Sequence, residues 1–124
     1  MLKTILMVAL GGGAGSVLRY AVGLAFARAW ASTLAANVVG CFLIGLLAGL
    51  AQRQAWLTPE VRALLVTGFC GGFTTFSTFS QQTQQMMASG QMTAAAAYAA
   101  GSVALGLCAV WAGMALAGAL CRQH

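Results

Sequence analysis

Four long apolar runs occupy almost the whole of this chain and leave no room for a soluble domain. Of the 124 residues, 60% are hydrophobic and only 6% are charged. A soluble domain of this size needs more polar residues to cover its surface. One bilayer crossing takes about 20 apolar residues, so the length permits four helical crossings. Open sheet edges cannot face lipid, and four segments cannot close a barrel, so we predict an all-α membrane protein.

Turn residues and short polar segments place the ends of the predicted helices. We predict one transmembrane domain over residues 1–124, with helices at about 4–26, 32–51, 59–88 and 92–120. The link at 27–31 and a tail at 121–124 lie outside these helices. Thr58 suits the N-cap of the third helix, and Pro59 suits its first position. The first apolar run is longer than the core of a signal peptide, so we predict a helix that is retained.

Small residues recur at four-residue spacing, which lets helix backbones approach closely in lipid. The pairs are Gly11/Gly15, Ala36/Gly40, Gly45/Gly49 and Gly113/Ala117. Packing within one bundle explains most of these pairs. Four short helices nevertheless offer little interior for an ion pathway, so we also predict an oligomer.

The net charge of +5 comes from a few basic residues near the ends of apolar runs. This placement is typical of membrane proteins, and we predict no nucleic-acid partner. An even number of crossings puts both termini on one side. The charge bias favours termini inside the cell, but it is small enough to permit insertion in both orientations.

The scarcity of ionisable side chains excludes most catalytic mechanisms. Glu60 is the only acidic residue, so paired-carboxylate catalysis is impossible, and a proton-coupled transporter would lack its intramembrane carboxylate. The sole histidine, His124, ends the chain and is no plausible base for a nucleophile. The four cysteines form no C-x-x-C pair, so a disulfide framework or a metal site is not indicated. We predict that the chain is not an enzyme.

The stretch GFCGGFTTFSTFSQQTQQ, residues 68–85, combines helix-weakening residues with many hydrogen-bonding groups. Three glycines and the pair Thr74-Thr75 predict a break near the middle of the third helix. A break frees carbonyl groups, which are tolerated at membrane depth only inside protein or when an ion or water satisfies them. Such oxygens are natural ligands for a hard cation. A simple kink is the alternative.

After the break, two polar or aromatic faces run along the helix. One holds Phe76, Phe79 and Thr83, and the next holds Ser77, Ser80 and Gln84. Phenyl edges carry partial positive charge, and hydroxyls and amides donate hydrogen bonds. A track of donors and ring edges without a carboxylate suits a small anion. The alternative is that the hydroxyls bond back to their own helix.

Two further polar residues interrupt apolar helices. Asn37 shares a helix face with Thr33, four residues earlier, and can either bond a neighbouring helix or line a pathway. Arg19 is costly to hold inside a membrane. It can extend to the headgroups, or it can stand at a water-filled vestibule.

Three motifs resemble the Fluc fluoride channels, also called the CrcB family: GGGAGSVLRY (11–20), TLAANVVG (33–40) and GFCGGFTTFSTFS (68–80). The resemblance implies antiparallel, dual-topology homodimers with two pores and four helices per subunit. It implies passive export of fluoride across the cell (inner) membrane, which lowers fluoride toxicity. It also implies a structural Na⁺ ion at the dimer interface.

Matching positions carry the family's site residues onto this chain. The fluoride pathway would comprise Thr33, Asn37, Phe76, Ser77, Thr78, Phe79, Ser80, Gln82, Tyr98 and Ser102. Arg19 would stand at the vestibule, and the backbone carbonyls of Gly71 and Thr74 would hold the sodium. Two positions depart from the pattern: Gln82 replaces a glutamate of many members, and Gly106 ends the track of Tyr98 and Ser102 without a hydroxyl.

Two alternatives remain open from the sequence. A small multidrug-resistance-type transporter has similar length, four helices and dual topology, but relies on a glutamate in its first helix, which this chain lacks. A structural membrane subunit would not need the hydroxyl-rich segment to face a pore.

Overall fold

The computed structural model describes residues 1–122, which are helical apart from short connections. Four segments are long and apolar enough to cross a membrane: Leu2–Ala25, Ala29–Ala51, Pro59–Ala88 and Met92–Arg122. The prediction of four membrane-spanning helices is therefore confirmed. The elements in chain order are α1 (Leu2–Ala25), α2 (Ala29–Ala51), α3 (Pro59–Arg62), a π-helix (Ala63–Cys70), α4 (Gly71–Phe73), α5 (Phe76–Ala88) and α6 (Met92–Arg122).

The helix ends differ from the expected ones by a few residues. Helix α2 begins at Ala29 rather than Ser32, so the link after α1 covers only 26–28. Alanine has the highest helix propensity, which allows the helix to start directly after the extended Arg28. Helix α6 continues through Cys121 and Arg122, which we expected in the tail. The rest of that tail, 123–124, lies outside the described residues.

The third span changes its helical geometry twice before it breaks. Thr58 caps its start, as predicted, because its hydroxyl oxygen accepts a hydrogen bond from the Val61 amide at 3.3 Å. The π-helix follows, and the Gly71 amide donates to the Val66 carbonyl five residues earlier. Thr74 and Thr75 then take extended backbone conformations, with ψ angles of 155° and 115°. The predicted break thus lies at these two threonines.

Two helix pairs form the body of the subunit, α1 against the π-helix and α2 against α6. A Cβ atom on Gly15 would overlap the Phe69 carbonyl oxygen, and one on Gly45 would overlap the Val110 carbonyl oxygen. The other glycines that face a neighbouring backbone in this way are Gly11, Gly68, Gly72 and Gly113. Close approach of these backbones, predicted from the small-residue spacing, is therefore confirmed for both pairs.

Gly15→Ala is expected to destabilise the protein by about 1–3 kcal/mol, because the added methyl group must push the Phe69 backbone away. Gly13→Ala is the matched control, since nothing lies within 4 Å of a Cβ at that position. The control should gain about 0.5–1 kcal/mol from the better helix propensity of alanine. Thermal unfolding of both variants in detergent measures the difference. Equal melting temperatures would contradict the close α1 crossing.

Candidate ion pathway

The broken backbone of the third span is held by one side chain from α2. The Asn37 oxygen Oδ1 accepts a hydrogen bond from the Thr75 amide at 2.8 Å, and its nitrogen Nδ2 donates to the Thr75 carbonyl at 3.2 Å. A single amide thus satisfies both backbone groups of the residue at the break. The sequence left open whether Asn37 bonds a neighbouring helix, and it does so here. One hydrogen of its NH₂ group remains available for a further acceptor.

Thr75 also begins the helix that follows the break. Its hydroxyl oxygen accepts a hydrogen bond from the Thr78 amide at 3.2 Å and so caps α5. The same hydroxyl lies 3.1 Å from the Thr78 hydroxyl and 3.3 Å from the Ser77 hydroxyl. Thr75 was not among the predicted site residues. Its place directly before the FSTFS segment, in a residue type that favours helix N-caps, was the available signal.

The hydroxyl groups of residues 74–83 fall into two sets, those that bond back to their own helix and those that do not. Thr74 donates to the Cys70 carbonyl at 2.8 Å, and Thr83 donates to the Phe79 carbonyl at 2.9 Å. These two bond back to their own helix, as the alternative held. Thr75, Ser77 and Thr78 instead form the cluster just described. Ser80 is partly buried on α5, and neither Ser77 nor Ser80 lines the two cavities described below.

The break diverts hydrogen bonds away from two carbonyl groups. In a continuous helix the Thr75 amide would donate to the Gly71 carbonyl, but it donates to Asn37. The Thr78 amide would likewise donate to the Thr74 carbonyl, but it donates to the Thr75 hydroxyl. The carbonyls of Gly71 and Thr74 therefore lack their helical donors.

Arg19 contacts the break from the side of α1. Its Nε atom donates to the Gly72 carbonyl at 3.2 Å, and Ser16 approaches the same oxygen at 3.5 Å. Arg19 therefore satisfies a carbonyl that the break exposes. It also lines a cavity of about 450 Å³ together with Thr33, Thr78 and Gln82. The Arg19 side chain is thus directed towards the break and this cavity.

A second cavity of about 390 Å³ lies between α2, the break and α6. Its polar lining includes Asn37, Thr75 and Ser102, and its aromatic lining is Phe76 and Phe79. Thr75 lines both cavities. The Ser102 hydroxyl oxygen is buried and has no hydrogen-bond partner. No carboxylate side chain lies in the lining, so this cavity offers donors and ring edges to an anion.

The aromatic rings form a continuous row that begins at this cavity. The centroids of Phe76 and Phe79 are 5.9 Å apart, and those of Phe79 and Tyr98 are 5.1 Å apart. The ring planes are inclined by 48° and 58°, so neither pair is stacked face to face. Phe76 is 79% exposed in the single chain, whereas Tyr98 is buried. The outer ring of the row is therefore uncovered unless another molecule packs against it.

Gln82 of α5 links α2 and α6 through two side-chain hydrogen bonds. Its oxygen Oε1 accepts from the Tyr98 hydroxyl at 2.7 Å, and its nitrogen Nε2 donates to the Thr33 hydroxyl oxygen at 3.0 Å. Thr33 in turn donates to the Ala29 carbonyl at 3.2 Å. The Gln82 side chain thus orders Thr33 and Tyr98, two residues that the family resemblance also assigns to the pathway. An ionised glutamate here could accept from Tyr98 but could not donate to Thr33.

Comparison with known proteins identifies the family. The family described as "CrcB-like protein, Camphor Resistance (CrcB)" matches residues 6–114. The chain belongs to the CrcB family. A Pseudomonas syringae pv. tomato protein named fluoride-specific ion channel FluC is 46% identical over 121 residues, which cover 94% of this chain and 98% of the relative. A Rhizobium etli protein of the same name is 49% identical over 121 residues, which cover 93% of this chain and 96% of the relative.

A third CrcB relative, from Flavobacterium psychrophilum and also named fluoride-specific ion channel FluC, is 43% identical over 94% of this chain and 98% of its own length. The resemblance inferred from the three motifs is therefore confirmed, and it extends into α6. Membership of the CrcB family removes the small multidrug-resistance alternative.

Proposed function

We propose that this chain forms a channel through which fluoride leaves the cell passively. The observation that carries the proposal is a cavity lined by Phe76, Phe79 and Ser102 and by no carboxylate, in which the buried Ser102 hydroxyl has no hydrogen-bond partner. The printed names of its relatives, fluoride-specific ion channel FluC, support the same function. We assign the chain no catalytic role. It resides as a multi-pass protein in the inner membrane and confers resistance to fluoride.

Fluoride is a small anion with a tightly held hydration shell, so a selective path must replace that shell with donors. Along this path Asn37 holds one free amide hydrogen, Ser102 offers its hydroxyl, and the phenyl edges add partial positive charge. The sole acidic residue, Glu60, lies in α3 at the start of the third span and does not repel the ion. Arg19 raises the local concentration of anions at the vestibule.

The direction of transport needs no energy source. Fluoride enters cells as neutral HF from acidic surroundings and ionises inside. The membrane potential, negative inside, then drives the anion outward. A passive path is sufficient to lower the internal concentration.

The working unit is an antiparallel homodimer of subunits inserted in opposite orientations. Phe76 is 79% exposed in the single chain, so the row of rings is completed by a second copy. Only 11–22% of the most apolar part of each span is buried within one subunit. The weak bias of basic residues across the membrane permits both orientations. A two-fold axis then brings the same surface of each subunit into contact.

A structural Na⁺ ion belongs to this proposal, held by the carbonyls of Gly71 and Thr74 from both subunits. The two carbonyls fit the group, because the break deprives both of their helical donors and carbonyl oxygens suit a hard cation. No three His, Cys, Asp or Glu side chains gather to hold a metal within residues 1–122. When bound, the ion would satisfy the carbonyl oxygens that lack their helical donors.

Reconstitution of the purified protein alone tests the function. Liposomes loaded with fluoride should empty when an ionophore balances the charge, and liposomes loaded with chloride should not. Equal chloride flux would refute selectivity. Absence of fluoride flux would favour the remaining alternative, a structural membrane subunit.

Gln82→Glu is expected to conduct more slowly than the wild type between about pH 6 and 8, because the reference pKa of glutamate is about 4.3 and the ionised carboxylate repels an anion. The wild type should conduct almost equally between about pH 6 and 8, because glutamine does not titrate and no other pathway side chain has a reference pKa in that range. Gln81→Glu is the matched control, since Gln81 is exposed on the same helix and lines neither cavity.

Efflux at matched internal and external pH measures this effect. An inactive wild type that Gln82→Glu revives would show that transport requires the carboxylate, contrary to the proposal.

A further inference from the structure

Cys41 lines the cavity of about 390 Å³, although none of the sequence motifs assigned it to the pathway. It follows Asn37 by one helical turn on α2, and both residues line the cavity with Phe76, Phe79 and Ser102. Cys41 is partly buried, whereas Cys108 on α6 is exposed and lines neither this cavity nor the vestibule. The thiol is therefore placed among the residues that the proposed function assigns to fluoride.

Cys41 lies next to Gly106, the position on α6 where a hydroxyl is missing. Tyr98, Ser102 and Gly106 follow one another at four-residue spacing, and Gly106 has no side chain to continue the track. A Cβ atom built on Gly106 would lie 3.4 Å from the Cys41 sulfur. The thiol thus stands beside the space that a third track side chain would occupy.

One residue of the same cavity lining carries a donor without a hydrogen-bond partner. The Ser102 hydroxyl is buried without a hydrogen-bond partner, which is costly unless something visits it. Gly106 lies one turn beyond Ser102 on the same wall. A thiol is a weak hydrogen-bond donor and is uncharged in its protonated form, so it can assist an anion without repelling it.

We propose that the Cys41 thiol supplies the third donor of this track, in place of the side chain that Gly106 lacks. The inference rests on the proposed fluoride function and assigns a hydrogen-bond donor of the pathway to a residue of α2. It also explains why a glycine is tolerated at 106, since α2 provides the group that α6 omits.

Fluoride efflux from proteoliposomes tests the proposal with four variants. Cys41→Ala should lower the rate by about three- to tenfold, the effect of one modest hydrogen bond. Cys41→Ser retains a donor of similar size and should conduct at least as well as wild type. Cys41→Ala combined with Gly106→Ser returns a donor from α6 and should recover most of the rate. Cys108→Ala should be unchanged.

The outcomes separate a donor from a packing residue. A packing role predicts that Cys41→Ser conducts no better than Cys41→Ala and that Gly106→Ser restores nothing, and either result would overturn the proposal. So would a Cys41→Ala variant that conducts like the wild type. A wild type that fails to conduct fluoride would overturn the proposed function itself, whereas a conducting wild type with an indifferent Cys41 would overturn this inference alone.

Discussion

Phe79→Ile is expected to reduce fluoride flux by about ten- to a hundredfold, comparable to the loss of a hydrogen bond to a charged group. Isoleucine occupies similar volume but has no polarised ring edge. Phe79 lies between Phe76 and Tyr98 in the row of rings, so its replacement interrupts the row at its centre. Phe76→Ile should also reduce the fluoride flux. Efflux from proteoliposomes at equal protein density measures both effects.

Phe69→Ile is the matched control for the ring prediction. Phe69 belongs to the same span but stacks on Phe73, with centroids 5.9 Å apart, and lines neither cavity. Its replacement should leave the flux close to the wild-type value. Equal flux in Phe79→Ile and wild type, with the variant intact on size exclusion, would mean that the cavity rings serve only in packing.

The break in the third span was predictable because its causes are local. Glycines and β-branched residues weaken a helix wherever they occur, and Thr58-Pro59 likewise marks the start of the span. The π-helix at Ala63–Cys70 was not predictable. Its hydrogen bonds differ from those of an α-helix by one residue of register, and the same residues favour both forms. The packing of α1 against this segment is a tertiary contact, which a local sequence pattern cannot predict.

The partners of the polar side chains depend on tertiary structure, which explains why the sequence left them open. Asn37 was consistent with a bond to a neighbouring helix or with a pathway, and its spacing could not reveal Thr75 as its partner. Thr74 and Thr78 carry similar hydroxyls four residues apart, yet one bonds back to its helix and the other joins the cluster after the break. Residue type predicted a donor-rich segment, and the break decided the role of each donor.

Asn37→Asp is expected to reduce fluoride flux by more than about a hundredfold, because it combines two losses. Aspartate cannot donate to the Thr75 carbonyl, so a backbone acceptor at the break loses its partner, at a cost of about 1–3 kcal/mol. The ionised carboxylate also places a negative charge in the cavity, where low dielectric strengthens its repulsion of an anion. Asn37→Ala removes both hydrogen bonds and should lower thermal stability as well as flux.

Gln54→Glu provides the matched control, since it makes the same change of charge outside the cavity. Gln54 follows α2 and donates to the Cys121 sulfur at 3.5 Å, and it lines neither cavity. Flux and thermal unfolding should be compared for both charge variants. If Asn37→Asp conducts as well as Gln54→Glu, fluoride does not pass close to Asn37 and its role is confined to holding the break. If only Asn37→Asp loses flux while its melting temperature remains close to that of Gln54→Glu, the charge in the cavity is the cause, and the path runs beside the Asn37–Thr75 pair.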